Sequence, residues 1–420
     1  MKKVCVLGLG YIGLPTASLL ANNGYQVVGV DDNDSIIEII NSGGVHIEEP
    51  GLKTIVTAAI NSGLLKVKNK PEPADIFFIA VPTPVDKSVD DAIVDLSYVE
   101  DAANVIVPHL KKGNLVILES TVPPGTSENL VAPIIEKSGL KVGVDLYLAH
   151  CPERVLPGST LHELIHNNRV VGGVDSSSAE VAKEFYQTFV SGAISTTDAN
   201  TAEMVKLTEN IYRDVNIALA NELADICEKS GINIWEVIGL ANLHPRVNVH
   251  MPGPGVGGHC ISVDPWFIIS KFKKETRIIK QARVINDSKP AAVVNKVAKI
   301  LDGIETPVVT VLGVAYKGNI DDTRESPANK VVELLEAYNV AYRVYDPHVK
   351  EYPGSVSSLK DAFLSSDLVL LLCDHDEFRY IYPKEPGNIM RNKNVFDTRN
   401  TLDKTLWEDS GFSYHLLGSS

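Results

Sequence analysis

Several signatures of function are missing from this sequence or sparse in it. Cysteine is scarce, with five in 420 residues, Cys5, Cys151, Cys227, Cys260 and Cys373, widely spaced and without a CxxC pair. An odd set at such spacing argues against a disulfide framework and against a structural zinc site. Neither His150-Cys151 nor His259-Cys260 has a second ligand pair at metal spacing, so no metal is expected. Basic charge is in the minority: 39 Lys and Arg face 53 Asp and Glu, a net charge of −14, and the cations are scattered. A broad nucleic-acid surface needs them clustered, so no nucleic-acid partner is expected, and an anionic ligand would need a local basic pocket. No apolar run approaches the ~18 residues of a membrane span. The start, Met1-Lys2-Lys3 followed by Val4 to Leu9, is too short for a signal peptide and has no small-residue cleavage site after it. A cytoplasmic protein without a membrane partner is the expectation.

The composition present, 44% hydrophobic and 22% charged, is that of a packed globular chain, and the length calls for two or three domains. Short β-rich runs at Val4–Leu7, Val27–Val30, Ile76–Val81, Leu115–Leu118 and Leu146–Ala149 alternate with helical patterns, the mark of a parallel sheet covered by helices. From Thr201 to about Ser230 apolar residues recur at three- and four-residue spacing, predicting one long helix stopped by Gly231. Another helix is expected from about Lys274 to Ile300. A second strand-turn-helix cycle begins at Val308–Leu312, with later strands at Tyr342–Tyr345, Leu368–Cys373 and Val395-Phe396. The expected architecture is α/β: two Rossmann-like doubly wound domains, residues 1–198 and 301–420, joined by a helical domain over 199–300.

Gly8-Leu9-Gly10-Tyr11-Ile12-Gly13 follows the first strand and opens a helix, which gives GxGxxG its meaning. The first glycine allows the tight turn, the second lets backbone approach a pyrophosphate, and the third lets helix pack on sheet. Asp31 ends the second strand, where its carboxylate can accept from ribose hydroxyls and would repel a 2′-phosphate, so NAD is expected over NADP. Thr83, in Val81-Pro82-Thr83-Pro84, and Thr121, in Glu119-Ser120-Thr121-Val122-Pro123-Pro124, lie where ligands bind at the carboxyl edge of such a sheet, although either run also reads as a plain turn.

The glycine-rich run Pro252 to Gly258 leads to His259-Cys260, with Asp264-Pro265 close behind. Cys260 is the one cysteine displayed in a loop, a candidate nucleophile whose rival is a structural thiol. On the long helix Lys206, Asn210 and Arg213 share a face, suited to an anion or alkoxide, or simply to solvent.

Together these stretches, with Cys151–Gly158 (CPERVLPG), Leu207–Asn216 (LTENIYRDVN), His244–Asn248 (HPRVN) and Lys317 through Arg324, resemble the UDP-glucose/GDP-mannose dehydrogenase family over nearly the whole chain. The likeness is strongest to the branch acting on UDP-N-acetyl-D-mannosamine (UDP-ManNAc). It implies oxidation of that sugar at C6 with two NAD, UDP-N-acetylglucosamine or UDP-glucose being the alternatives. A two-electron hydroxyacid dehydrogenase and a non-catalytic nucleotide-sugar sensor are the rival classes. The resemblance makes Cys260 the nucleophile and Lys206 the acid/base, with Asp264, Glu153 and Thr121 organising water and protons and Asn210 holding an oxyanion. It assigns the cofactor to Gly8, Gly10, Tyr11, Ile12, Gly13, Asp31, Thr83, Thr121 and Arg324. The UDP-sugar falls to Arg154, Val155, Lys206, Asn210, Arg213, His244, Arg246, Gly257 and Lys317. Arg246 matches a position that reaches a neighbouring subunit, implying a homodimer.

Overall fold

The computed structural model describes residues 2–86, 92–156 and 158–419. Two compact units make up the chain: Met1–Glu209 with Trp266–Lys271, and Asn210–Pro265 with Phe272–Ser420.

Among the described residues the main sheet of the first unit has eight strands, β1 (Lys3–Leu7), β2 (Gln26–Val30), β3 (Leu65–Lys68), β4 (Ile76–Ile79), β5 (Leu115–Leu118), β6 (Tyr147–His150), β7 (Arg169–Gly173) and β8 (Ile194–Asp198), and Val85–Asp86 pairs antiparallel with Ile93–Val94 outside it. The order in the main sheet is β8-β7-β6-β5-β4-β1-β2-β3. Strands β1 to β6 are parallel, in the 3-2-1-4-5-6 order of a dinucleotide-binding fold, whereas β7 pairs antiparallel to β6 and takes β8 with it. The wholly parallel sheet read from the sequence is thus extended by two reversed strands. Strands β4 and β5, Ile-Phe-Phe-Ile and Leu-Val-Ile-Leu, are buried along their whole length, as both faces are covered. Within β1, Val4 and Val6 pack with Leu14 and Leu20 on one face, while Cys5 and Leu7 pack with Phe77 and Val116 on the other. Period-two alternation therefore divides even an all-apolar strand between two cores. At the edge, β3 turns Lys66 and Lys68 outward, which discourages further pairing.

The second unit has five strands, β9 (Val308–Leu312), β10 (Ala341–Tyr345), β11 (Leu368–Leu371), β12 (Asn394–Asp397) and β13 (Ser413–Leu416). All are parallel, in the order β10-β9-β11-β12-β13, the other common doubly wound arrangement. Val309, Val311, Leu368 and Leu370 pack against Ala220, Ala224, Val293 and Val297, and the opposite face packs on Phe363, Trp407 and Phe412.

Five helices carry the remaining argument: α1 (Gly13–Asn22), α2 (Ala199–Ser230), α3 (Asp264–Lys271), α4 (Arg277–Ile300) and α5 (Pro327–Ala337). Helix α2 starts two residues before the apolar periodicity does. Asp198 caps it by accepting from Thr201 N at 2.8 Å and from the Thr201 hydroxyl at 2.6 Å, and hydrogen bonding to Thr201 lowers the Asp198 pKa. Gly231, at φ 73°, ends it as expected. Among the described residues no helix is long and apolar enough to cross a membrane.

Candidate active site

In the first unit the three motif glycines do three different jobs. A Cβ on Gly8, at φ 87°, would lie 2.6 Å from the Ala80 carbonyl oxygen, and one on Gly13 would lie 1.8 Å from Gly8 O. Those two serve the turn and the helix-sheet contact. A Cβ on Gly10 would meet nothing within 4 Å. Gly10 therefore borders open space beside the α1 N-terminus, whose first turn carries no acidic residue, and its backbone can approach a pyrophosphate. Ile12 caps α1 and Tyr11 is exposed. Asp31 accepts from Leu9 N and Asn33 N, both at 3.0 Å, so it also holds the glycine loop against the end of β2.

Along the carboxyl edge of the same sheet, Thr83 and Thr121 are half-buried in neighbouring loops that Ser120 ties together by donating to Val81 O at 2.7 Å. The loop after Thr121 is fastened by Glu203, one turn before Lys206 on α2. Its buried carboxylate accepts from Gly125 N at 2.5 Å, Ser127 N at 2.8 Å and the Ser127 hydroxyl at 2.7 Å. Lys206 is half-buried. Buried His150 is neutral, its pKa brought down to about 3 mainly by burial and further by the charge of Lys206. Glu153, also buried, accepts from Arg154 N at 2.6 Å and pairs with Arg169 at 3.3 Å. The Arg154 side chain is engaged by Glu209 and Asn168 O; Val155 beside it is half-buried, and Pro157 lies outside the described residues.

In the second unit the thiol loop is built on the β9 end of the sheet. A Cβ on Gly257 would lie 2.7 Å from Glu325 O and 2.8 Å from both Pro327 Cδ and Tyr316 Cβ. One on Gly258, at φ 83°, would lie 2.9 Å from the Tyr316 ring. Close packing on Tyr316 thus accounts for these two glycines. Asn221 accepts from Gly253 N at 2.9 Å and donates to Asn286, which donates to buried Asp214. Cys260 is exposed while the other four cysteines are buried. Its carbonyl accepts from Asp264 N at 2.8 Å as α3 begins. The buried Asp264 carboxylate accepts from Asn210 Nδ2, and Asn210 Oδ1 accepts from Arg213, so these three predicted residues form one hydrogen-bonded chain.

Other predicted residues stand apart from that chain. His244 and Arg246 are exposed on the 243–248 loop, and Lys317 is exposed after β9. Arg324 is held by Asp322 at 2.7 to 3.1 Å. Burial works to raise the Asp322 pKa, but hydrogen bonds from Arg324 leave it lowered.

Two metal-like groupings are explained without an ion. His348, His375 and Glu377 bring ligand atoms within 4.8 Å of one another. Yet His375 Nδ1 accepts from Asn319 N at 2.9 Å and its Nε2 pairs with Asp346 at 3.0 Å, so neither nitrogen is left for a metal. His162-Glu163-Leu164-Ile165-His166 has the HExxH spacing of a zinc-binding helix. There Glu163 accepts from Leu156 N at 2.8 Å and His166 bonds Ser191 at 2.8 Å, tying down the preceding loop and a neighbouring turn.

Comparison with known proteins agrees with this layout. Residues 2–190, 200–288 and 310–404 match, in turn, the NAD binding, central and UDP binding domains of the UDP-glucose/GDP-mannose dehydrogenase family. A UDP-N-acetyl-D-mannosamine dehydrogenase of Methanococcus vannielii is 50% identical across 100% of this chain and 97% of its own length. The solved UDP-D-ManNAc dehydrogenase of Pyrococcus horikoshii is 42% identical with a TM-score of 0.92, covering 99% of each chain. A UDP-N-acetyl-mannosamine dehydrogenase structure from Staphylococcus aureus is 46% identical with a TM-score of 0.91, again over 99% of each chain. The chain belongs to the UDP-glucose/GDP-mannose dehydrogenase family and is an NAD-dependent nucleotide-sugar dehydrogenase.

Proposed function

We propose that this protein oxidises C6 of UDP-ManNAc to the carboxylate, reducing two NAD per sugar, with Cys260 as covalent nucleophile. The covalent step is carried by the exposure of Cys260, the other four cysteines being buried. The choice of sugar is supported by likeness to the M. vannielii, P. horikoshii and S. aureus proteins.

NAD, when bound, supplies the hydride acceptor for both oxidations. Lys206 takes the proton of the C6 hydroxyl in the first oxidation and faces the resulting charge as an ammonium. The Cys260 thiolate then forms a C–S bond to the aldehyde carbon, and the carbonyl electron pair moves to oxygen. Lys206 and the second N–H of Asn210 stabilise that oxyanion, at ~3 kcal/mol for each well-placed donor. Loss of a second hydride restores the C=O bond as a thioester. A water held by Thr121 gives its proton to Glu153 or Asp264 and attacks; the C–S bond breaks, and the thiolate leaves with its electron pair.

Assembly as a homodimer accompanies this reading. Tyr212, Leu219 and Ile226 are each about half exposed at seven-residue intervals on α2, and Leu240 and Leu243 are exposed on the following segment. Arg246, also exposed, is the residue assigned to a neighbour's site, and a monomer in light scattering would remove that role.

The deciding experiment assays UDP-ManNAc, UDP-N-acetylglucosamine and UDP-glucose side by side, counting NADH per sugar. Two NADH with UDP-ManNAc preferred is the expected result; one NADH refutes the thioester route, and another preferred sugar refutes the substrate. Cys260→Ser is expected to bind both ligands yet release no carboxylate.

A further inference from the structure

Behind Glu153 lies a second acid that the mechanism above leaves unused. Glu119, the first residue after β5, is 3% exposed, and its Oε1 accepts from Tyr186 at 3.1 Å. Arg169, which opens β7, is 5% exposed and stands between the two acids, 3.3 Å from Glu153 Oε2 and 3.9 Å from Glu119 Oε1. The same guanidinium lies over the Tyr186 ring at 5.1 Å, donates to Leu164 O at 3.1 Å and touches Cys151 Sγ at 3.9 Å. Two carboxylates therefore share one cation in a dry interior. A buried charge without a counter-ion binds a proton in preference to remaining ionised, so the array holds one proton more than its ion pair needs.

The hydrogen bonds identify which acid carries it. Glu153 has the shorter contact with Arg169 and also accepts from Arg154 N at 2.6 Å. Glu119 Oε2 has no hydrogen-bond partner among the described residues. Burial, with Glu153 adding to it, pushes the Glu119 carboxyl well above the usual carboxylate range. The other titratable groups in the array stay neutral: burial raises the Cys151 thiol to about 11 and the Tyr186 phenol higher than its ordinary value.

We propose that Arg169 and Glu119 are positioning residues for Glu153: Arg169 aims its carboxylate by a charge-assisted bond, and Glu119 stays protonated so that the guanidinium is not divided between two anions. The inference rests on Glu153 taking the proton of the hydrolytic water. When Glu119 ionises in alkaline solution it competes for Arg169, Glu153 loosens, and thioester hydrolysis slows.

Single-turnover carboxylate release against pH tests this in the intact enzyme. Wild type is expected to lose hydrolysis rate on an alkaline limb that Glu119→Gln, isosteric but unable to ionise, does not show. Arg169→Lys, which keeps charge without the planar fork, should slow hydrolysis on the order of 100-fold with KM for the sugar unchanged. An alkaline limb retained by Glu119→Gln, or an unchanged rate in Arg169→Lys, overturns the proposal. Should either variant fail to fold, wild type still answers through infrared spectroscopy. A protonated-carboxyl C=O stretch should persist at neutral pH and vanish in alkali, and its absence at neutral pH is equally fatal. Glu153→Gln separates the two readings: normal hydrolysis there would remove Glu153 from the mechanism, while the infrared band would still report on the array.

Discussion

Replacing Glu203 by alanine tests whether one side chain keeps the Thr121 loop against the helix that bears Lys206. The wild-type carboxylate is fully buried and accepts three hydrogen bonds between 2.5 and 2.8 Å, two of them from the backbone N–H groups of Gly125 and Ser127. The Ser127 hydroxyl can rotate toward another acceptor, but the two amides cannot. Ser127 is itself fully buried and Thr126 nearly so, which leaves little room for solvent to replace the lost oxygens. Each buried donor left unpaired costs about 1–3 kcal/mol, so the variant should lose roughly 2–6 kcal/mol. In a unit of this size 1 kcal/mol moves Tm by about 2–4 °C, giving a drop on the order of 10 °C in the N-terminal unit. Calorimetry with NAD absent reads this directly, and Glu203→Gln, which keeps one acceptor oxygen, should fall between. At a temperature where the variant is folded, kcat should drop as Thr121 and Lys206 lose their common anchor. A Tm within about 2 °C of wild type, with kcat unchanged, would refute the reasoning.

Three further outcomes follow from other sites. Gly10→Ala should leave stability unchanged and weaken NAD binding by titration, because its Cβ has space in the protein but not beside a pyrophosphate; Gly13→Ala should fail to fold. Burial would raise the Asp346 pKa, but hydrogen bonds from His375, Val314 N and Val349 N bring it down to about 2. The native pKa lies below the unfolded value, so this stabilisation, about 2 kcal/mol, is present above about pH 4 and disappears as pH falls toward 2; acid unfolding of Asp346→Asn should lack that component. Arg283→Met leaves Asp214, fully buried, without the guanidinium 2.5 Å away, and should cost about 3–5 kcal/mol in urea unfolding, whereas Asp214→Asn with Arg283→Met should recover part of the loss.

Local chemistry was legible in the sequence, while contacts between distant segments were not. The GxGxxG turn, Asp31, the span of α2 and the exposed thiol all follow from neighbours within about thirty positions. Helix spacing alone places Asn210 and Arg213 on one face of α2, whereas Asp264 joins their hydrogen-bonded chain from 54 positions away. Strands β7 and β8 carry little local signal because Arg-Val-Val-Gly-Gly and Ile-Ser-Thr-Thr-Asp lack a clear period, and β3 carries little because it is four residues with alternating lysines. Glu203, Glu119 and Arg169 look like ordinary surface residues until the chain brings in partners from 76, 67 and 16 positions away. Pairings of that kind are set by the fold and leave no local pattern.

Asp31 has a consequence for any attempt to retune the cofactor. Exchanging the acid at this position is the obvious route toward a phosphorylated dinucleotide, yet here the same carboxylate braces the turn at Leu9 and the chain at Asn33. Removing it would slacken the very loop that must receive the diphosphate. A redesign should leave Asp31 in place and introduce positive charge at Asp32 or Asp34, both exposed and free of that bracing duty.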